Sequence, residues 1–554
     1  MGVVTAIAAF PSWAQSPPNA GVLQQQIERE QQGAAQRLQL QPPAKPLAEP
    51  PLVGQTVVVQ AFKFKGNTLL SDEQLSAALA PLRARPLDFA RLQSSAVIVA
   101  DLYREQGWVV QTFLPEQDIA KGEVSITIVE AVFGQTLIAG AAATRVPQEA
   151  VLAIFSRQQQ SGRFLNINAV DRALLLADDL PGVTVSGSLG QGAQAGQTDL
   201  VLQLADEPWL TGSISADNAG AVSTGSKRAQ ASLSFNSPAG WGDALSLYGV
   251  STQGSNYGRV GYSLPLGSDG WRLGVNASRL EYELITETPE GNFTSRGIEL
   301  SYPLLRSRTL NLTGSLSADQ KKYLNKAAGL TQSNYTSTPV SLGLSGNSFD
   351  ALGGGGANAL SWVMTAGKLK LNELPDSSTN TVNSTITPGM FYKVRYALSR
   401  QQQIATGLSL YTAFSGQWAH KNLDSSEKFY LGGSGGVRAY PSSEGGGSLG
   451  QMLNVELRWQ LPAGMTLTGF YDHGRVTQNV QNEGTGAASP NTFALKGAGL
   501  SLGWRHASGV NVQATYARRI GENPNPNTGT VNPGADQDGT LHRNRLWLNA
   551  SVAF

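Results

Sequence analysis

Cysteine is absent from the 554 residues, which excludes disulfides, iron–sulfur clusters and thiol catalysis. Histidine is nearly so: His420, His473, His506 and His542 show no H-x-x-x-H spacing of the kind that builds a metal centre. No cofactor or metal is expected. Charge is sparse and balanced, 15% of residues with 41 Lys+Arg against 40 Asp+Glu, so the basic footprint of a nucleic-acid binder is missing. Beyond the N-terminus no uncharged apolar run reaches the roughly 18 residues that a bilayer-crossing helix needs. That exclusion does not extend to β-barrels, whose alternating strands barely raise mean hydropathy. Glycine is plentiful, at 62 residues against the roughly 7% usual in globular chains.

Residues 1–14 read as an export signal, an apolar stretch ending in Ser12-Trp13-Ala14, a small-x-small site with cleavage after Ala14. The basic residues that usually precede such a stretch are missing, so either the translation start lies upstream or the apolar end is fortuitous. Residues 15–41 hold one solitary amphipathic helix, 21–41, rich in Gln, Glu, Arg and Ala, with Leu23, Ile27, Ala34 and Leu38 spaced for a single face. Residues 42–55 carry five prolines and form an extended spacer of about 3 Å per residue. The helix is thus tethered at a distance.

Residues 56–131 read as strand, helix, helix, strand, strand. Val57, Val59, Phe62 and Phe64 mark the first strand, and Ser71 with Gln74 forms a capping box opening the first helix. Leu92, Ala96, Val99 and Tyr103 line one face of the second helix, which Gly107 stops. Residues 108–114 and 123–131 then pair as strands. Residues 132–207 repeat the order, so two βααββ modules are expected, each with an exposed sheet edge. Such an edge can add an incoming strand by main-chain hydrogen bonds; 108–114 and 198–204 are the candidates.

From 208 to 554 no helical period survives, and segments of alternating apolar and polar residues are separated by Gly/Asn/Ser/Asp clusters. Leu453-Asn454-Val455-Glu456-Leu457-Arg458-Trp459 is the clearest, with one wholly apolar and one wholly polar face. That pattern alone suits a sandwich as well as a barrel. Connection lengths decide: 462–464 and 506–509 are short, 475–491 and 521–540 long, the asymmetry of an outer-membrane barrel. Sixteen strands are counted, an even number that returns both ends to the periplasmic side, and closure leaves no edge for lipid. The last strand puts Leu546, Leu548, Ala550, Val552 and Phe554 on one face, and a terminal aromatic there resembles a barrel assembly signal. Trp271, Trp459, Trp504, Tyr516 and Trp547 are candidates for interfacial girdles.

The residues Leu102-Tyr103, Gly107-Trp108, Leu114-Pro115-Glu116-Gln117, Gly122-Glu123-Val124 and Val129-Glu130-Ala131 resemble the POTRA domains of two-partner secretion transporters. These are the haemolysin and filamentous haemagglutinin secretion proteins of the Omp85 superfamily. Leu180-Pro181-Gly182-Val183 and Gly196-Gln197-Thr198-Asp199-Leu200 are similar to that family's second POTRA domain. Gly436-Val437-Arg438-Ala439-Tyr440 resembles the VRGY motif of its sixth extracellular loop, and Gly469-Phe470-Tyr471-Asp472-His473-Gly474 the barrel-wall motif that loop meets. Ala439 stands where the family usually has Gly. Along 465–474, Asp472 shares a parity with Thr466, Thr468 and Phe470 and should face the lumen, where Arg438 would bind it bidentately.

The fold expected is a membrane β-barrel of 16 antiparallel strands preceded by two α+β POTRA domains and an N-terminal helix. The resemblance implies an outer-membrane translocator whose POTRA domains, in the periplasm, receive an unfolded exoprotein that leaves through the barrel pore without nucleotide hydrolysis. The implied partners are an adhesin- or haemolysin-like exoprotein of extended β-helical form, outer-membrane lipid and the barrel assembly machinery, with no nucleic acid. The helix at 21–41 is expected to plug the lumen. Alternatives are an Omp85-type factor that inserts other barrels, and a barrel enzyme or passive porin. Gly432-x-Ser434-x-Gly436 with Asp472 and His506 mimics a hydrolase order, but the loop residues after Gly436 do not build the required helix.

Overall fold

The computed structural model describes residues 19–35, 57–117, 119, 122–140, 143–194, 196–285, 288–373, 388–483, 487–527 and 533–554, with the backbone alone for 31–35. The expected export signal, the proline-rich spacer and Leu38 lie outside the described residues. Helix α1 runs Ala20–Ala35. The Asn19 side chain accepts from the Val22 amide at 3.1 Å, the bond by which an N-cap satisfies an orphan donor.

The first module comprises β1 (Val57–Val58), β2 (Ala61–Lys65), α2 (Asp72–Ala78), β3 (Pro86–Leu87), α3 (Phe89–Glu105), β4 (Val110–Phe113) and β5 (Glu123–Glu130). Ser71 and Gln74 form the expected capping box. Leu92, Ala96, Val99 and Tyr103 of α3 are buried against the sheet β2–β5–β4, in which β5 is central and parallel to β2. At the end of β5 the Glu130 carboxylate accepts from the Thr68 amide at 2.7 Å, the Leu69 amide and the Tyr103 hydroxyl, each at 2.8 Å, and the Thr68 hydroxyl. Burial opposes its ionisation, but these donors outweigh burial and hold it below the ordinary carboxylate range. Glu130→Gln should therefore loosen the 66–70 turn by about 2 kcal/mol, since four donors lose a charged acceptor. The wild-type contribution should be present above the ordinary glutamate range and fade as pH falls through the lowered folded value. Hydrogen exchange at the Thr68 and Leu69 amides checks both expectations.

The second module comprises β6 (Val132–Ile138), α4 (Gln148–Gln158), α5 (Ile167–Asp178), β7 (Val183–Gln191) and β8 (Gln197–Asp206), with sheet order β6–β8–β7. The candidate edge at 198–204 is corrected: it lies in β8, paired on both sides, and cannot receive a strand. Alternation reports which face a residue takes, not where its strand sits in the sheet. The outer side of β6 is occupied at its start, where Phe133 donates to the Arg163 carbonyl at 2.8 Å and Leu165 to the Ala131 carbonyl at 2.8 Å. Among the described residues, the outer sides of β2, β4 and β7 pair with no strand.

The closed barrel follows: β9 (Leu210–Asp217), β10 (Arg228–Asn236), β11 (Ala244–Ser251), β12 (Ser255–Leu266), β13 (Trp271–Glu283), β14 (Pro289–Arg306), β15 (Leu310–Ala327) and β16 (Leu330–Asp350). It continues through β17 (Gly356–Glu373), β18 (Gly389–Ala405) and β19 (Leu408–Ala419). Two short strands, β20 (Phe429–Tyr430) and β21 (Gly446–Gly447), pair inside the connection 420–448 and take no part in the wall. The wall ends with β22 (Leu449–Gln460), β23 (Met465–Thr477), β24 (Thr492–Arg505), β25 (Val510–Arg519) and β26 (Asn544–Ala553), which pairs back onto β9. All 16 wall strands are antiparallel neighbours in chain order, as expected. Long connections gather at the end away from the modules, although 252–254 and 328–329 there are as short as the opposite turns.

The second module rests on the short-turn end of the barrel. Asp179 takes a bidentate pair from Arg306 at 2.7 and 2.8 Å, Asp171 pairs with Arg308 at 2.9 Å, and Arg172 donates to the Pro303 carbonyl at 2.9 Å. Helix α5 is thereby pinned to the turn between β14 and β15.

Candidate functional site

Alternation along β22 and β23 sends Asn454, Glu456, Phe470, Asp472 and Gly474 inward. Their register sets Asn454 opposite Asp472 and Glu456 opposite Phe470. The Asp472 side chain is wholly excluded from solvent, which a carboxylate tolerates only when it is paired and hydrogen-bonded.

Loop 420–448 supplies the partner. Its base is fixed by the β20–β21 pair and by the buried ion pair of Lys393 on β18 with Glu427. The chain then turns at Gly436, where a Cβ would stand 2.0 Å from the Leu431 carbonyl oxygen, so only glycine fits. Val437 is buried among Leu431, Phe470, Val476 and Leu495. Arg438 follows, and its Nε and Nη2 donate to the two Asp472 oxygens at 2.9 and 2.7 Å. Its amide adds a third bond to Asp472 at 3.0 Å, while Nη1 donates to Glu456 at 2.7 Å. The guanidinium lies 3.5 Å from the centroid of the Phe470 ring, and Asn454 completes Asp472 with a donor at 2.8 Å. One cation therefore binds two carboxylates and an aromatic face, a fork that lysine cannot reproduce.

The substitution of Ala439 for glycine is accommodated by the wall: a Cβ on Gly497 of β24 would come within 2.6 Å of the Ala439 methyl. Tyr440 is buried under the Arg519 guanidinium, 4.3 Å from its ring centroid. Gly474 faces the loop, where a Cβ would meet Leu431 at 2.7 Å. Gly469 has the parity of outward-facing Tyr471, with ordinary space around it, and is not part of the contact. Phe554 closes the seam of the barrel, exchanging two main-chain bonds with Gly212 at 2.9 and 3.0 Å. Ser434 and His506 are not brought together, since His506 sits in the β24–β25 turn against Ser508.

Sequence reasoning missed three members of the site. Glu456 and Asn454 were legible only as a polar strand face. Trp547, expected in an interfacial girdle, points inward instead, and its indole N–H donates to the Arg438 carbonyl at 2.7 Å. Its parity opposite to Leu546 and Leu548 was the available signal. Trp271, Trp459 and Trp504 are outward and exposed, each close to the short-turn end of its strand.

Helix α1 lies within the barrel and touches both its wall and the loop. Glu30 pairs with Arg228 of β10 at 2.6 Å, Glu28 with Lys321 of β15 at 3.4 Å, and Gln25 accepts from Arg395 of β18 at 2.7 Å. Arg29 donates to the carbonyls of Tyr430, Gly432 and Gly435 at 2.7, 3.2 and 3.1 Å.

A closed barrel of 16 strands with two βααββ modules at one mouth and a loop locked to its inner wall defines a β-barrel of the outer-membrane type. Residues 196–506 match the model of the haemolysin secretion/activation protein ShlB/FhaC/HecB family, and 57–131 that of the ShlB-type POTRA domain; the chain belongs to the ShlB/FhaC/HecB family. It is 23% identical to the heme/hemopexin transporter protein HuxB of Haemophilus influenzae strain 86-028NP, over 91% of this chain and 92% of that one. It is 26% identical to the outer membrane transporter CdiB of Escherichia coli, over 74% of this chain and 70% of that one. The solved structure of CdiB from Escherichia coli superimposes with a TM-score of 0.71 at 21% identity, covering 98% of this chain and all of that one. The protein is an outer-membrane translocator of a secreted exoprotein, with its POTRA domains in the periplasm.

Proposed function

We propose that the exoprotein is met in the periplasm as an extended chain at the open edges of β4 and β7 and passes through the barrel lumen, with its folding outside preventing return. No nucleotide is hydrolysed, and no residue acts as a catalyst. The observation that carries this reading is what fills the lumen: α1, joined to the rest of the chain through 36–56, and loop 420–448, held at both ends. A plug on a tether can leave its seat, whereas wall side chains cannot. In this reading residues 15–41 are the plug segment, 42–55 its tether, 56–131 and 132–207 the two receiving modules and 208–554 the pore. The motif 436–440 with Phe470, Asp472 and Gly474 of the wall seats the loop, and Phe554 is read by the barrel assembly machinery. The cargo is a large adhesin- or haemolysin-like β-helical protein, a class that suits strand-by-strand passage.

Proline removes a main-chain donor and blocks strand addition. Prolines scanned singly through β4 and β7 should include positions that weaken binding of the unfolded exoprotein to the periplasmic modules by about tenfold, with the modules still folded. Prolines in β8 should disrupt the second module itself. Titration giving unchanged affinity for every folded β4 and β7 variant would remove strand addition from the mechanism.

A further inference from the structure

The inner wall carries a continuous row of apolar and aromatic side chains beneath α1 and loop 420–448. Across six consecutive strands, β11 to β16, six apolar or aromatic residues stand in direct register: Val250 opposite Tyr257, Tyr257 opposite Leu280, Leu280 opposite Phe293, Phe293 opposite Tyr323, and Tyr323 opposite Tyr335. All six are buried. Successive rings from Phe293 to Tyr335 lie 4.9 and 4.7 Å apart between centroids, the second pair stacked within 16°. The row sits toward the exit: Tyr257 is close to the loop end of β12, Phe293 to that of β14, and Tyr335 to that of β16. The lumen otherwise presents such groups as Arg228, Lys321, Arg395 and Glu456.

The cover of this row is α1, joined at one end by the loop, where the Tyr335 hydroxyl donates to Asp424 at 2.8 Å. Ala20, Leu23 and Ile27 pack into it, and the Tyr323 hydroxyl donates to the Gln24 side-chain oxygen at 2.8 Å. The row thus already holds a polypeptide, through ring faces for aliphatic groups and a hydroxyl for an amide oxygen. Neither element is particular to a helix. Leu280 and Phe293 have no polar atom with which to meet water, so a vacated row in an aqueous pore favours another occupant of the same mixed character. The chain in transit is the polypeptide available at that position. Resting on the translocator reading above, we infer that the row from Val250 to Tyr335 is a binding site for the extended polypeptide in transit, and that α1 occupies it only while the channel is idle. Contacts spread over six strands and lacking sequence-specific donors suit a chain that must bind, slide and leave.

The test uses channels lacking residues 19–41 in planar bilayers, so that any effect through α1 is removed. The probe is an unstructured peptide of about 25 residues rich in Asn, Thr and Val, longer when extended than the bilayer is thick. With the row intact, the peptide should block the current for measurable intervals. In the double variant Leu280→Ser with Phe293→Ser those intervals should shorten about five-fold, the effect of losing two apolar contacts. Tyr257→Ala is the second variant should the first form no channels, because open-channel current itself reports assembly and Tyr257 belongs to the row. Equal intervals in parent and variant would overturn the proposal and leave the row as a seat for α1 alone. No blockade of any kind in the intact-row channel would instead count against polypeptide passage through this lumen, and the binding site would fall with it.

Discussion

Channels that lack residues 21–41 should conduct several-fold more current than the full-length protein while exporting the exoprotein nearly as well. An α-helix with its side chains is about 10–12 Å across, and a 16-strand barrel encloses a lumen of the size that porins leave open to water. Helix α1, at 16 residues and about 1.5 Å rise each, extends along much of that lumen. Deletion also releases three cations of the wall from α1, Arg228, Lys321 and Arg395, of which Arg228 keeps Asp217 at 2.8 Å and Arg395 keeps Gln417 at 2.6 Å. The wall therefore retains partners for two of its three cations and should stay assembled. Arg29→Ala is the partial version of the experiment: it removes the bonds from α1 to the loop carbonyls but leaves the wall contacts at Arg228, Lys321 and Arg395, so brief openings should become more frequent while the main closed level persists. Single-channel recording in planar bilayers checks both. Unchanged conductance after the deletion would mean that α1 does not block the path.

How much of this could be read from the chain differs by level. Two periods, 3.6 in α3 and 2.0 in β22 and β23, gave the module order, the 16 wall strands and the inward parity of Asp472, because a solvent boundary imposes those periods directly on the residues. Sheet order imposes no such mark, which is why β8 was legible as a strand but not as the central one. The polar residues of α1 were legible as a surface face, yet Gln24 and Gln25 are buried. A lumen lined with Tyr, Lys and Arg satisfies such side chains as water would, so composition cannot distinguish the two surroundings. Glu456 joined the site through its register opposite Phe470 in the β22–β23 pair, and Trp547 through a strand 109 residues from Arg438, a relation that exists only once the barrel is closed.

Arg438→Ala should reduce export more than Asp472→Ala does, with both proteins still assembled in the outer membrane. The pair is shielded, so removal of one partner costs more than the net worth of the contact: a buried charge left alone is destabilising by about 3–5 kcal/mol. Without Asp472, Arg438 keeps Glu456 at 2.7 Å and its stacking on Phe470. Without Arg438, Asp472 keeps only the Asn454 amide and a loop amide, and Glu456 retains Arg458 at 2.7 Å. A loss of about 3 kcal/mol in seating would shift the ratio of seated to unseated loop by on the order of 100-fold, enough to matter even if the seated state is strongly favoured. Because both substitutions delete the same contact, the double variant should export little less than Arg438→Ala alone. Arg438→Lys should recover only part of the function, since an ammonium group cannot engage Asp472 bidentately while reaching Glu456 and lying flat on Phe470. Exoprotein in the culture supernatant, measured at matched transporter levels, decides the matter. Additive losses in the double variant would show that the two residues act separately, and full export by Arg438→Ala would remove loop seating from the mechanism.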